Sequence, residues 1–133
     1  MLDLNGFRQV GAALERVSRH LNLIRGIRGV SAPAHVFSES NFPAGAGLAS
    51  SASAFAALTV SAVRAAGNEM TEKDLTRLAR RGSGSAARSI PAGFVEWYRG
   101  DTDRESYAAS IAPAEHWGLV DCIAIIDSSE KKT

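Results

Sequence analysis

At 133 residues the chain is long enough for one compact domain with its own core, and 45% hydrophobic with 22% charged residues is an ordinary globular composition. Fifteen basic and fourteen acidic side chains leave a net charge of +1, so the global field says little about partners. No apolar run approaches the roughly 18 residues that span a bilayer, residues 1–6 lack a signal-peptide pattern, and the single cysteine, Cys122, excludes an internal disulfide and a thiol-rich metal site. The expectation is one domain over residues 1–133, in the cytoplasm.

Val10, Leu14, Val17, Leu21 and Ile24 step by four, three, four and three residues, which predicts a helix over residues 7–25 with one apolar stripe. Gly26 and Gly29 offer its stop. Residues 34–39 read as a short strand, and residues 41–47 as a loop punctuated by Pro43, Gly45 and Gly47. A second helix is expected over residues 50–66, with Gly67 just past its end. Its many alanines suit close, buried packing. Thr71 with Asp74 three residues on marks the start of a third helix, with Met70 and Leu75 as a staple and Gly82 as its end. Residues 93–98 read as a strand, followed by a turn at Arg99, Gly100 and Asp101. Residues 120–126 are almost entirely apolar and predict a strand inside a sheet, with Cys122 a buried small hydrophobe. His116 and Trp117 read as a packing pair ahead of it, and His20 and His35 as no metal pair.

Two segments carry chemistry. In residues 43–52, glycines precede a helix start whose free N–H groups and partial positive charge suit phosphate, and Ser50 and Ser51 add hydroxyl donors. The pattern is not a Walker loop, and a capped helix after a glycine turn is the plain alternative. In residues 80–89, two serines and flexible glycines lie between arginines, an anion cradle to which Arg77, Arg80, Arg81 and Arg88 could contribute. The alternative for those arginines is a solvated helix face.

At these segments the chain resembles a known family. Asn41-Phe42-Pro43 with Gly47-Leu48-Ala49-Ser50-Ser51-Ala52 is similar to the phosphate loop of GHMP kinases, in the form found in diphosphomevalonate decarboxylases. Arg81-Gly82-Ser83-Gly84-Ser85-Ala86, then Arg88-Ser89 and Gly93-Phe94-Val95-Glu96-Trp97, resembles that family's substrate motif. Ala112-Pro113, His116-Trp117 and Glu130-Lys131-Lys132 follow in the same order.

The resemblance implies an α/β two-layer (α+β) fold, like the GHMP kinase N-terminal domain, with helices packed on one face of a mixed sheet. It implies ATP-dependent decarboxylation of a mevalonate phosphate, diphosphomevalonate to isopentenyl diphosphate, with ATP and Mg2+ as cofactors. Ala46, Gly47, Leu48, Ala49, Ser50 and Ser51 would line the nucleotide phosphates, with Ser51 closest to the transferred group. Ser83, Gly84, Ser85, Ala86, Ala87 and Arg88 would hold the substrate, and Arg16 matches a family arginine that contacts its diphosphate. No protein metal ligand, nucleic-acid partner or membrane partner is implied; a homodimer is compatible.

Ala87, Pro91-Ala92 and Ala44-Gly45 depart from the family pattern, which bears on substrate preference. The family's catalytic aspartate and an N-terminal lysine segment match nothing in the chain. It is therefore read as an internal fragment with no assignable general base, inactive in isolation. Two alternatives stay open: a small-molecule kinase such as a mevalonate 3-kinase, and a non-catalytic fragment or binding module.

Overall fold

The computed structural model describes residues 1–42, 49–67, 69–122 and 124. Strands β1 (Leu2–Leu4) and β2 (Phe7–Arg8) precede helix α1 (Gly11–Arg28), strand β3 (Val36–Ser38) and helices α2 (Ser50–Ala65) and α3 (Glu72–Ala79). A 3-10 turn over Gly84–Ser89 leads to strands β4 (Phe94–Tyr98) and β5 (Tyr107–Ala112), and a short 3-10 turn over Ala114–His116 follows.

Asn5 and Gly6 both adopt positive φ, +50° and +81°. That pair forms the two-residue loop between Leu4 and Phe7, and tight hairpins favour Asn-Gly for this reason. β1 also pairs with β3 in parallel, Leu2 opposite Val36, giving a mixed sheet of order β2-β1-β3. Leu2, Leu4 and Val36 face Val17 of α1 and Phe55 and Leu58 of α2 across a groove. The fold is thus mixed α and β, with helices against a small mixed sheet. β4, the strand expected over residues 93–98, pairs antiparallel with β5 in a second sheet; β5 is the strand the sequence did not announce.

The helices meet in two apolar clusters. Ile24, Val63 and Leu78 pack together, with Leu23, Ala62, Met70 and Leu75 around them. Phe55, Ala56, Ala79 and Ala86 form the other, with Leu58 and Ile90. Three of its four buried members are alanines, which lets α2, α3 and the 3-10 turn approach closely. Not all of α2 is buried, however: Ala54, Ala57 and Ala65 are exposed.

α1 starts and ends later than expected. Val10 is its N-cap residue and 75% exposed, Gly26 lies within it, and Gly29 closes it at φ +65°. One glycine costs a helix only about 1 kcal/mol, so the left-handed cap at Gly29 decides the end. Gly67 follows α2 at φ +70° as expected. Thr71 accepts the Asp74 N–H at 3.2 Å and donates its hydroxyl to the Asp74 carboxylate at 2.8 Å, and α3 ends at Ala79, before Gly82.

The strand expected at residues 120–126 is corrected where it is described. Val120, Asp121, Cys122 and Ala124 have no regular structure, Val120 is 88% exposed, and Cys122 is exposed rather than buried. An apolar run becomes a strand only with a ladder partner, and no described strand pairs here; its other residues lie outside the described ones. His116 and Trp117 do pack, edge-on at 5.8 Å and stacked at 6.4 Å on Phe94.

Candidate functional site

Helix α2 presents Ser51, Phe55 and Thr59 at four-residue intervals, hence along one face. Arg16 and His20 have the same spacing on α1. These two ladders meet beside the turn that follows α3.

At the first step, the Ser51 hydroxyl lies 3.3 Å from that of Ser83, in a half-buried position. This contact joins the start of α2 to the Gly/Ser segment, which are 32 residues apart in sequence. Ser53, by contrast, donates to the Ser50 carbonyl of its own helix at 3.1 Å. Ala49 precedes α2 in the left-handed region, φ +52°, a conformation that disfavours a side chain. Ala46, Gly47 and Leu48 lie outside the described residues. Ser50 opens the helix.

At the second step, the Arg16 guanidinium sits 4.6 Å over the Phe55 ring and donates to the Gly82 carbonyl at 3.0 Å. His20 meets the same ring edge-on, at 5.3 Å and 86°. At the third step, His20 Nε2 and Thr59 Oγ1 are 2.8 Å apart, while Thr59 donates to the Phe55 carbonyl at 2.6 Å. Since the threonine proton is used there, His20 Nε2–H is the donor and Nδ1 carries no proton. Nδ1 is buried without a hydrogen-bond partner among the described residues. Burial first, and the Arg81 charge second, push the His20 pKa down to about 4.

The substrate-motif residues divide by exposure. Ser83 and Ser85 are half-buried, and Gly84 and Arg88 are exposed. Ala86 and Ala87 are fully buried, so neither presents surface to a ligand. A side chain at Gly84 would come within 3.3 Å of Trp97 on β4. Arg16, Arg19, His20, Arg81 and Gly82 line a cleft of about 410 Å3 beside this motif.

The arginine cluster is only partly available. Arg77 and Arg80 each reach the Asp103 carboxylate at 2.6 Å, and Arg77 also reaches Asp74 at 2.6 Å. The Arg77 hydrogen bond, with the Arg80 charge, holds the Asp103 carboxyl below its usual range. Both arginines therefore brace α3 against the β4–β5 connection rather than forming a free cradle. Arg88 has no hydrogen bond or ion pair among the described residues. Nor do these residues contain a cluster of three His, Cys, Asp or Glu groups placed to hold a metal.

Sequence reasoning missed Phe55, Thr59, His20 and Asp103. The i, i+4 spacing of Arg16 with His20 and of Phe55 with Thr59 was readable; what each pair faces was not.

Residues 1–108 match the family model described as the diphosphomevalonate decarboxylase-like N-terminal domain. The chain is 45% identical over 105 residues to diphosphomevalonate decarboxylase of Homo sapiens, covering 77% of this chain and 26% of the relative. Among solved structures it resembles the mevalonate diphosphate decarboxylase of Enterococcus faecalis at a TM-score of 0.78 and 44% identity, over 87% of this chain and 36% of that one. A structure described as MDDEF in complex with MVAPP, AMPPCP and magnesium matches equally, at 0.78 and 44%, over 87% of this chain and 35% of the other. The chain spans about a quarter of the length of the curated relatives it matches.

Proposed function

The chain belongs to the diphosphomevalonate decarboxylase-like family, and from that premise we propose that it supplies the phosphate-binding and substrate-binding parts of an ATP-dependent decarboxylase. The substrate would be a mevalonate phosphate, diphosphomevalonate being converted to isopentenyl diphosphate. The observation that carries this reading is the Ser51–Ser83 contact, which sets the helix start suited to a nucleotide phosphate beside the turn suited to an anionic substrate.

The chemistry of the residues fits such ligands. The start of helix α2 offers the Ser51 hydroxyl and its partial positive charge to an anion. Ser83 and Ser85 offer further donors, and Arg88 and Arg16 bring positive charge with no carboxylate partner among the described residues. Holding donor and acceptor together removes much of the entropy of their encounter, and fixed donors stabilise charge that develops during transfer. ATP with Mg2+ would supply the phosphoryl group that turns the substrate hydroxyl into a leaving group. With no acidic cluster among the described residues, Mg2+ fits best on nucleotide phosphates with serine hydroxyls nearby. None of the described residues is assigned as a base. A cytoplasmic location goes with the same reading; no described helix is long and apolar enough to cross a membrane.

Titrating the chain with mevalonate diphosphate and a non-hydrolysable ATP analogue, observed by amide NMR, tests this. Shifts are expected at Ser51, Ser83 and Arg88, with Ser51→Ala weakening the nucleotide and Ser53→Ala not. Binding that leaves Ser51 and Ser83 unperturbed would sink the reading.

A further inference from the structure

Arg16 is exposed on α1, yet its guanidinium is fixed on two sides. Below it is the face of Phe55, with the guanidinium carbon 4.6 Å from the ring centroid. Beside it is the Gly82 carbonyl, reached through Nη2 at 3.0 Å. No carboxylate pairs with Arg16 among the described residues. A guanidinium has five N–H donors, and this arrangement occupies one.

The ring is held in turn. A Cβ at Gly82 would come within 2.1 Å of Phe55 Cδ1, so the turn rests on the ring and only glycine allows it. His20 abuts the ring edge-on, and Thr59 holds His20 at 2.8 Å. Phe55 itself is 5% exposed. One side chain thus touches the arginine, the glycine turn and a buried histidine.

We infer that Phe55 is a positioning residue: its ring holds the Arg16 guanidinium against the Gly82 turn, so that the arginine meets an anionic substrate group already oriented. The inference rests on the proposed role of Arg16 in substrate binding. A long arginine side chain loses conformational freedom when it binds a ligand, and pre-ordering it strengthens binding. The attraction arises from the negative face of the ring, so shape and electrostatics can be separated by experiment.

Stepwise fluorination of the Phe55 ring keeps its shape while removing that negative face. The unsubstituted chain, the fluorinated series and Arg16→Ala are titrated calorimetrically with inorganic pyrophosphate. Affinity is expected to fall with each fluorine, by about five- to tenfold over the series, and fluorination should have no effect in the Arg16→Ala background. Flat affinity across the series, with Arg16→Ala still weakening binding, overturns the positioning role alone. Pyrophosphate that fails to bind the unsubstituted chain, or binds Arg16→Ala equally well, overturns the role of Arg16 and the inference with it.

Discussion

Asn5 Oδ1 accepts the Ser40 backbone N–H at 2.8 Å, and the Asn5 N–H donates to the Ser38 carbonyl at 2.8 Å. The turn between β1 and β2 thereby clasps the end of β3, immediately before the segment that leads towards α2. The left-handed turn conformation and the side-chain acceptor are separable. Asn5→Gly keeps the first and removes the second, since glycine accepts positive φ freely. A loss of about 0.5–1.5 kcal/mol is expected for one net hydrogen bond, with faster hydrogen exchange at the Ser40 amide. Asn5→Asp should retain most of the protection. Unchanged exchange at Ser40 in Asn5→Gly would show that the clasp has no energetic weight.

Arg88 and Arg80 lie eight positions apart and should answer mutation differently. Arg80 is committed to Asp103 at 2.6 Å, whereas Arg88 has no partner among the described residues. Arg88→Ala is expected to weaken mevalonate diphosphate binding by roughly ten- to a hundredfold, the range for a charge-assisted contact of about 1.5–3 kcal/mol. Arg80→Ala should leave affinity nearly unchanged and lower stability by about 1–3 kcal/mol, because the half-buried guanidinium also donates to the Ser106 carbonyl at 2.9 Å. Calorimetry of both variants, with Arg64→Ala as a surface control, decides this. Equal small effects would remove Arg88 from the site.

His20 makes stability depend on pH in a defined window. Its folded pKa is about 4, against about 6.5 for an unperturbed histidine. Between those values the unfolded chain takes up a proton that the folded chain refuses. Stability is therefore unaffected by this group above about pH 6.5 and declines as pH falls towards 4, by on the order of 3 kcal/mol. Urea midpoints between pH 7.5 and 4.5 should show the decline, and His20→Gln should flatten it. Matching slopes in the two proteins would rule out His20 as the source.

Local signals in the sequence were legible because local chemistry fixes them. Thr71 with Asp74 caps α3, Gly67 ends α2, and the loop-to-helix step at Ser50 is a backbone matter. Long-range partners were not legible. β5 reads Tyr-Ala-Ala-Ser-Ile-Ala, with little β-branching or alternation, and is a strand because β4 pairs with it. Asp103 lies 23 and 26 residues from the two arginines it binds, so the arginine cluster looked like a free cradle. Val120 and Cys122, exposed where burial was expected, gave the opposite error, since apolarity indicates burial without naming a partner. At the site, the motif pointed to Ser51 and Ser83 separately; their contact, and Phe55 beneath it, belong to the fold.

Gly93 is expected to be the least replaceable glycine of the β4–β5 sheet. It precedes β4 at φ +75°, where L residues are strained. A Cβ there would stand 2.3 Å from the Ala112 carbonyl oxygen and 3.1 Å from the Ala114 nitrogen. Both obstacles are backbone, so no rotamer change relieves them. The ladder already shifts register between Phe94 and Val95, and such bulges reorient a strand. Here the strand carries Trp97, whose indole N–H donates to Ser106 Oγ at 3.1 Å and whose ring lies beside Gly84. Gly93→Ala should therefore cost at least about 1–3 kcal/mol from backbone strain alone and displace Trp97 from the Gly84 turn. Gly26→Ala is the matched control: it lies within α1 with open space around it, and it should be neutral or stabilise by up to about 1 kcal/mol. Thermal unfolding and Trp97 fluorescence report the two effects, with Trp97→Phe used to subtract the emission of Trp117. If Gly93→Ala unfolds with the control and its Trp97 emission is unshifted, the tight Gly93–Ala112 approach does not set the position of β4.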